Sequence, residues 1–121
     1  MIEVIKNLPA NVLGVRAKGR VMTEDYEKIL IPAIEAALHQ RDKIRLYYEL
    51  GNEFEGIDTG AVFEDLKVGI VKLPRWETLV VVTDVKSIKQ AVSVFAFLIH
   101  RMAKVFPVSE AEAARGWIAR S

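Results

Sequence analysis

The chain has 121 residues, enough to bury a real core within one folded unit. Its 51% hydrophobic and 27% charged content is that of an ordinary globular protein, and a net charge of +1 argues against a general nucleic-acid binder, which carries a strong basic excess. Cysteine is absent, which excludes disulfides, thiol chemistry and thiolate metal sites.

The opening residues MIEVIKNLP lack a signal-peptide layout, because Glu3 and Lys6 interrupt the apolar residues. The uncharged apolar run Gln90–Ile99 falls well short of the roughly 20 residues that span a bilayer. The expectation is a soluble cytoplasmic domain over residues 1–121.

Ile2–Lys6 alternates and predicts a first strand, and Asn7–Asn11, with Pro9, predicts a turn. Val12–Lys18 predicts a second strand, with Leu13, Val15 and Ala17 on one face and Gly14, Arg16 and Lys18 on the other. That alternation implies one well-covered and one thinly covered sheet face.

Thr23 is the expected N-cap of a helix, with Glu24 and Asp25 at its positive end. The helix runs through Tyr26, Ile29, Leu30, Ala33, Ile34, Ala37 and Leu38 to about Gln40, and Pro32 is expected to kink it. After an exit over Arg41–Lys43, a third strand spans Ile44–Leu50, with Ile44, Leu46, Tyr48 and Leu50 opposite Arg45, Tyr47 and Glu49. Strand, helix, strand at this spacing implies parallel pairing.

Gly51–Gly60 predicts a loop carrying Glu53, Glu55 and Asp58. Ala61–Leu73 predicts a helix with Val62, Phe63, Leu66, Ile70 and Leu73 inward, weakened at Gly69 and stopped by Pro74. Glu77–Asp84 holds the continuous run Leu79–Val82, as in a strand buried on both faces.

Val85–Lys104 predicts the most apolar helix. Ile88, Val92, Phe95, Ile99 and Met102 form its core stripe, widened by Ala91, Val94 and Leu98. Lys86, Lys89, Gln90, Ser93, His100, Arg101 and Lys104 form the opposite basic face, with Phe97 inside it. A short strand over Val105–Val108 follows, then a helix opened by a Ser109/Glu112 capping box and anchored by Trp117 and Ile118. The order ββαβαβαβα implies an α/β fold with one antiparallel edge strand on a mostly parallel sheet, and about four helices. Ligands in such folds favour the carboxyl ends of the strands, here Leu50–Gly60, Thr83–Lys86 and Phe106–Ser109.

Several stretches, in order, resemble the SpoIIAA-like family of the STAS superfamily. They are Asp25–Tyr26 with Leu30–Pro32, Lys43–Leu50 (KIRLYYEL), Phe54–Ala61 (FEGIDTGA) with Asp65–Gly69 (DLKVG), Trp76–Asp84 (WETLVVVTD), and Val105–Pro107 followed by Glu112, Ala113 and Trp117. The resemblance implies a STAS-like single domain over 1–121. It implies three kinds of activity: phospho-regulated protein partnering, nucleotide or small-ligand binding, and lipid or membrane association, the last through likeness to CRAL-TRIO lipid-binding domains.

Each expectation has a plainer competitor. Asp58-Thr59-Gly60 superficially resembles the phosphorylated site of anti-sigma-factor antagonists, but Glu53, Glu55 and Asp58 would repel added charge, and Thr59 reads first as an N-cap. From Leu66 to Phe106, Lys67, Lys72, Arg75, Lys86, Lys89, Arg101 and Lys104 face only Glu77 and Asp84. This basic bias with Phe97 suits peripheral contact with an anionic membrane. A solvated face, or a homodimer interface burying Phe97, competes with it.

An apolar small molecule or lipid is expected in a pocket of Tyr48, Phe63, Leu66, Ile70, Trp76, Phe95 and Ile99, with Tyr47, Tyr48 or Trp76 near the mouth and Ala61–Leu73 as a lid hinged at Gly60, Gly69 and Pro74. The competitor is that these residues are simply core. Glu49, Glu53, Glu55, Asp58, Glu64 and Asp65 show no metal-ligand spacing, and His39 and His100 have no nucleophile–base pattern. Gly56-x-x-x-Gly60 lacks the Lys and Ser/Thr of a phosphate loop. No catalytic residue, cofactor, metal or nucleic-acid partner is therefore expected. The reading is a non-enzymatic, membrane-associating binding domain, and the alternative is a protein-partnering regulator of the antagonist type.

Overall fold

A computed structural model describes residues 1–57, 76–99 and 102–120. Five strands form one sheet in the order β1-β2-β3-β4-β5: β1 is Ile2–Ile5, β2 Leu13–Val21, β3 Ile44–Ile57, β4 Trp76–Val82 and β5 Met102–Phe106. β1 pairs with β2 antiparallel, and every other neighbour is parallel, as the strand and helix spacing predicts. The described residues hold three helices. α1 joins an opening turn Thr23–Asp25, a wide π turn Tyr26–Leu30 and a regular stretch Ile31–Gln40; α2 is Lys86–Ile99; α3 is Ala111–Arg120, preceded by a 3-10 turn Val108–Glu110. The helix expected over Ala61–Leu73 lies outside the described residues.

The sheet has two cores. On one face Val15, Ala17, Ile44, Leu46, Leu50, Leu79 and Val81 pack against Tyr26, Leu30 and Ile34 of α1 and Val92 of α2. On the other, Val12, Tyr47, Val80, Val82 and Phe106 pack under Ala114 and Ile118 of α3. The predicted alternations of β2 and β3 hold, and the run Leu79–Val82 is buried throughout, with consecutive residues divided between the two cores.

Several expected boundaries move, each for a physical reason. Met22, not Thr23, takes the cap position of α1, and its N–H donates to the Asp25 carboxylate at 2.7 Å. The helix runs through Pro32 to Gln40 as expected, and the Ile31 N–H reaches back five residues to the Tyr26 carbonyl, widening the turn just before the proline. β3 continues to Ile57, through much of the expected loop, because β2 also continues to Val21 and offers it partners: Gly19 faces Phe54 and Arg20 faces Gly56. Register shifts flank Gly19, and Gly19 and Gly56 take positive φ of 59° and 145°, conformations that side chains disfavour.

The helix expected over Val85–Lys104 ends by Ile99. Met102 and Lys104 belong to β5, where pairing with β4 (Thr78 with Met102, Val80 with Lys104) supersedes the helical pattern. The last strand therefore starts three residues before the predicted Val105. Ser109 lies inside the 3-10 turn, whose cap residue is Pro107, and the Asp84 carboxylate accepts the Val108 N–H at 3.1 Å.

Two glycine substitutions test this account of β3. Gly56→Ala is expected to destabilise by about 1–3 kcal/mol, because the new Cβ meets a disfavoured backbone. Gly51→Ala, in open space within the same strand, is expected to be neutral or stabilising by up to about 1 kcal/mol. Urea denaturation of both variants checks the contrast, and equal effects would contradict the assigned backbone.

Candidate functional site

Partners in neighbouring strands share a sheet face. The register therefore aligns Glu3, Arg16, Glu49, Val82 and Phe106 in one row across all five strands. The row changes character along its length. Over β4 and β5 it is apolar and packs under α3; over β1, β2 and β3 it is a run of alternating charge.

Glu49 is the centre of the charged half. Its Oε2 accepts from Arg16 Nε at 2.6 Å, and its Oε1 accepts from the Tyr47 hydroxyl at 2.7 Å and from Arg115 Nη2 of α3 at 3.2 Å. The Arg115 guanidinium also lies over the Tyr47 ring, 5.4 Å from its centre. The side chain of Glu49 is only 13% exposed, while those of Arg16 and Arg115 are about one-third exposed. Burial pushes the Glu49 carboxyl up, but the hydrogen bonds from Tyr47, Arg16 and Arg115 and the Arg16 charge hold it below the ordinary carboxylate value. Burial first, then the bond to Glu49, pushes the Tyr47 phenol up to about 12. An ionised acid committed to three donors and a neutral phenol give a clamp between β2, β3 and α3. They supply neither a general acid near neutral pH nor an activated nucleophile.

Around this centre, Lys18 Nζ lies 2.9 Å from Glu3 and 3.6 Å from Glu53. Arg45 donates twice to the Ile118 carbonyl, at 3.2 and 2.7 Å, satisfying the end of α3. At the carboxyl ends of β4 and β5, the Thr83 N–H donates to the Phe106 carbonyl and Thr83 Oγ1 accepts the Val85 N–H. With Asp84 on Val108, the polar groups at this expected ligand position are engaged in holding α2 and α3. Among the described residues, no group of three His, Asp or Glu side chains could hold a metal ion.

The expected pocket and surface residues are placed as follows. Tyr48 is half-buried on the α1 face, its hydroxyl 3.2 Å from that of Tyr26. Burial raises both phenols, so the pair is neutral at physiological pH. Trp76 opens β4, and Phe95, Phe97 and Ile99 lie along α2, their backbones alone being described. Phe63, Leu66, Ile70, Lys67, Lys72, Arg101 and Thr59 lie outside the described residues, as does the lid Ala61–Leu73. Lys86 and Lys89 are exposed on α2.

Lys104 does not join that helix face. Paired with Val80 in β5, it shares the α3 side of the sheet, its Nζ 5.0 Å from the Phe106 ring centre and 5.2 Å from that of Trp117. Sequence reasoning singled out Glu49 as a bare acid but missed its partners. Arg16 and Arg115 are separated from it by 33 and 66 residues; strand register brings Arg16 to it, and the packing of α3 on the sheet brings Arg115.

The SpoIIAA-like family profile matches residues 12–119. No curated protein matches the chain. A solved structure of an uncharacterised protein from the DUF3478 family with a SpoIIAA-like fold, from Shewanella loihica PV-4, is similar over 98% of this chain and 92% of its own, at a TM-score of 0.64 and 22% identity. At that identity the likeness speaks for the fold alone.

The clamp has a pH signature. A carboxyl whose pKa is lower folded than unfolded adds stability above its unfolded value of about 4.5, and that stability is lost as pH falls through the folded value. Glu49→Gln is expected to destabilise by about 1–3 kcal/mol at neutral pH. Its stability curve should converge on that of the parent as pH falls below about 4.5. Parallel curves from pH-dependent denaturation would contradict the clamp.

Proposed function

Because this chain belongs to the SpoIIAA-like family, we propose that it is a non-catalytic STAS-like domain that binds an apolar small molecule or lipid and attaches peripherally to anionic membranes through α2. The observation that carries the reading is the arrangement of α2. Val92 is buried and Ile88 half-buried against the sheet, while Lys86, Lys89, Gln90 and Ser93 are exposed. Val85, just before the helix, is a large apolar residue left 37% exposed beside Lys86. In the sequence of α2, Phe97 follows Ser93 by one helical turn. Lysines flanking apolar side chains on one helix suit a surface where the ammonium groups meet lipid phosphate and the apolar groups enter the headgroup boundary.

The commitment of Glu49, Tyr47 and Arg115 to one another supports the non-catalytic part. Attachment in this reading is peripheral; among the described residues no helix is long and apolar enough to cross a membrane. The apolar-ligand part rests on the sequence alone: in Ala61–Leu73, outside the described residues, Phe63, Leu66 and Ile70 repeat at helical spacing.

Co-sedimentation of the full chain with anionic and neutral vesicles tests the membrane part. Salt-sensitive binding to anionic vesicles alone is expected. At about 1 kcal/mol per lysine, Lys86→Gln with Lys89→Gln should lower partitioning roughly 30-fold, and Phe97→Asp should abolish it. Absence of binding at low salt would overturn membrane attachment and leave a protein partner as the occupant of this surface.

A further inference from the structure

Among the described residues β1 pairs with β2 alone, so one side of its backbone has no ladder partner. The hydrogen bonds fix which residues this affects. Met1 and Lys18 exchange both of their bonds: the Lys18 N–H donates to the Met1 carbonyl at 2.8 Å, and the Met1 nitrogen donates to the Lys18 carbonyl at 2.8 Å. Bonded and non-bonded pairs alternate along an antiparallel ladder. Glu3 and Ile5 therefore bond inward, to Arg16 and Gly14, while Ile2 and Val4 aim their N–H and C=O groups at the free edge.

Sheet edges are normally blunted by a lysine, a proline or a bulge. β5, the opposite edge, carries Lys104 at its centre. β1 runs beside β2 without a bulge and holds neither lysine nor proline; Lys6 lies just past its end. The apolar surface next to this edge is also open. Ile2 is buried in the core beneath α1, but Val4, on the same face of the strand, is 43% exposed. Met1, before the strand, and Met22 and Ile29, at the start of α1 that packs beside β1, are exposed as well.

We propose that two copies of this chain pair antiparallel through β1, joining their sheets across a two-fold axis at Val4. The edge is self-complementary in this register. Val4 faces Val4 and Ile2 faces Lys6, so outward-aimed residues meet one another, and each such pair exchanges two backbone bonds. An axis at Lys6 would set two lysines against each other, and an axis at Ile2 would leave only the first few residues to pair. The charges agree with the axis at Val4. Among the described residues Lys6 has no ion-pair partner. Facing Ile2 of the other copy, it comes beside that copy's acidic start of α1, where Asp25 lies 3.4 Å from the Met1 nitrogen. The inference uses no residue of α2 and stands apart from the membrane reading.

The test is sedimentation velocity of the full chain over a range of concentrations, with amide hydrogen exchange by NMR to locate the contact. A short edge makes a small interface, and a dissociation constant on the order of 10 μM is expected. Raising the concentration through that constant should slow exchange at Val4 and Lys6 and leave Glu3 and Ile5 unchanged, because those two already bond to β2. Val4→Lys, at an exposed position that tolerates a long side chain, sets like charges on the axis and should weaken association about tenfold or more. Lys6→Glu should weaken it to a similar extent, an effect that fades with salt. A chain still monomeric at about 1 mM, far above the expected constant, would overturn the proposal and leave this edge to a strand of a different protein. So would a dimer whose Val4 amide exchanges equally fast at every concentration, or undiminished association of a folded Val4→Lys variant.

Discussion

β3 is held between two parallel neighbours, and that constraint governs the rest of the molecule. A strand in this position is covered on both faces, so each of its side chains must be accommodated by one of two layers. Ile44, Leu46 and Leu50 enter the layer beneath α1 and α2. Arg45, Tyr47 and Glu49 enter the layer beneath α3, and three polar side chains there need partners. Each finds them: Arg45 on the last turn of α3, Tyr47 on Glu49, and Glu49 on Arg16 of β2 and Arg115 of α3. One carboxylate thereby sets how β2, β3 and the C-terminal helix stand together.

This use of polar groups also shapes what the protein can do. The most organised charged cluster of the described residues is consumed in assembly, and its lowered carboxyl and raised phenol are locked in the protonation states that hold the clamp. The proposed binding is then left to a surface whose charges are less committed to the fold. The lysines of α2 stand outside the clamp. In the proposed reading they meet a negatively charged surface, although the whole chain carries a net charge of only +1. The balancing acids concentrate elsewhere, with Glu3 and Glu53 paired to Lys18 beside β3.

Much of the fold is legible in the sequence because it rests on local periodicity. Alternation in Leu13–Lys18 and Ile44–Leu50 marked both faces of the sheet, and the unbroken run Leu79–Val82 marked the doubly buried strand. What escaped depends on pairing between distant segments. The helical spacing of Ile99 and Met102 was real, but β4 recruits Met102–Phe106 as a fifth strand and ends the helix early. Acidic, glycine-containing Gly51–Ile57 lacked a strand signal, yet the extension of β2 pairs with it. Pro32 signalled a disturbed helix, but not the widened turn at Tyr26–Leu30 that precedes it. At the candidate site the acid Glu49 was visible and its arginines were not, since the residues meet only after the register is set.

The central claim is that the exposed face of α2, rather than that of α3, is the working surface. Because the natural chain has no cysteine, single labelling sites can be introduced without competition. Ser93→Cys on α2 and Ala113→Cys on α3, both exposed, place an environment-sensitive fluorophore on opposite sides of the sheet. On anionic vesicles, the account predicts a blue-shifted emission for the label at position 93 and unchanged emission at position 113. A shift at 113 alone, or at neither position, would contradict it.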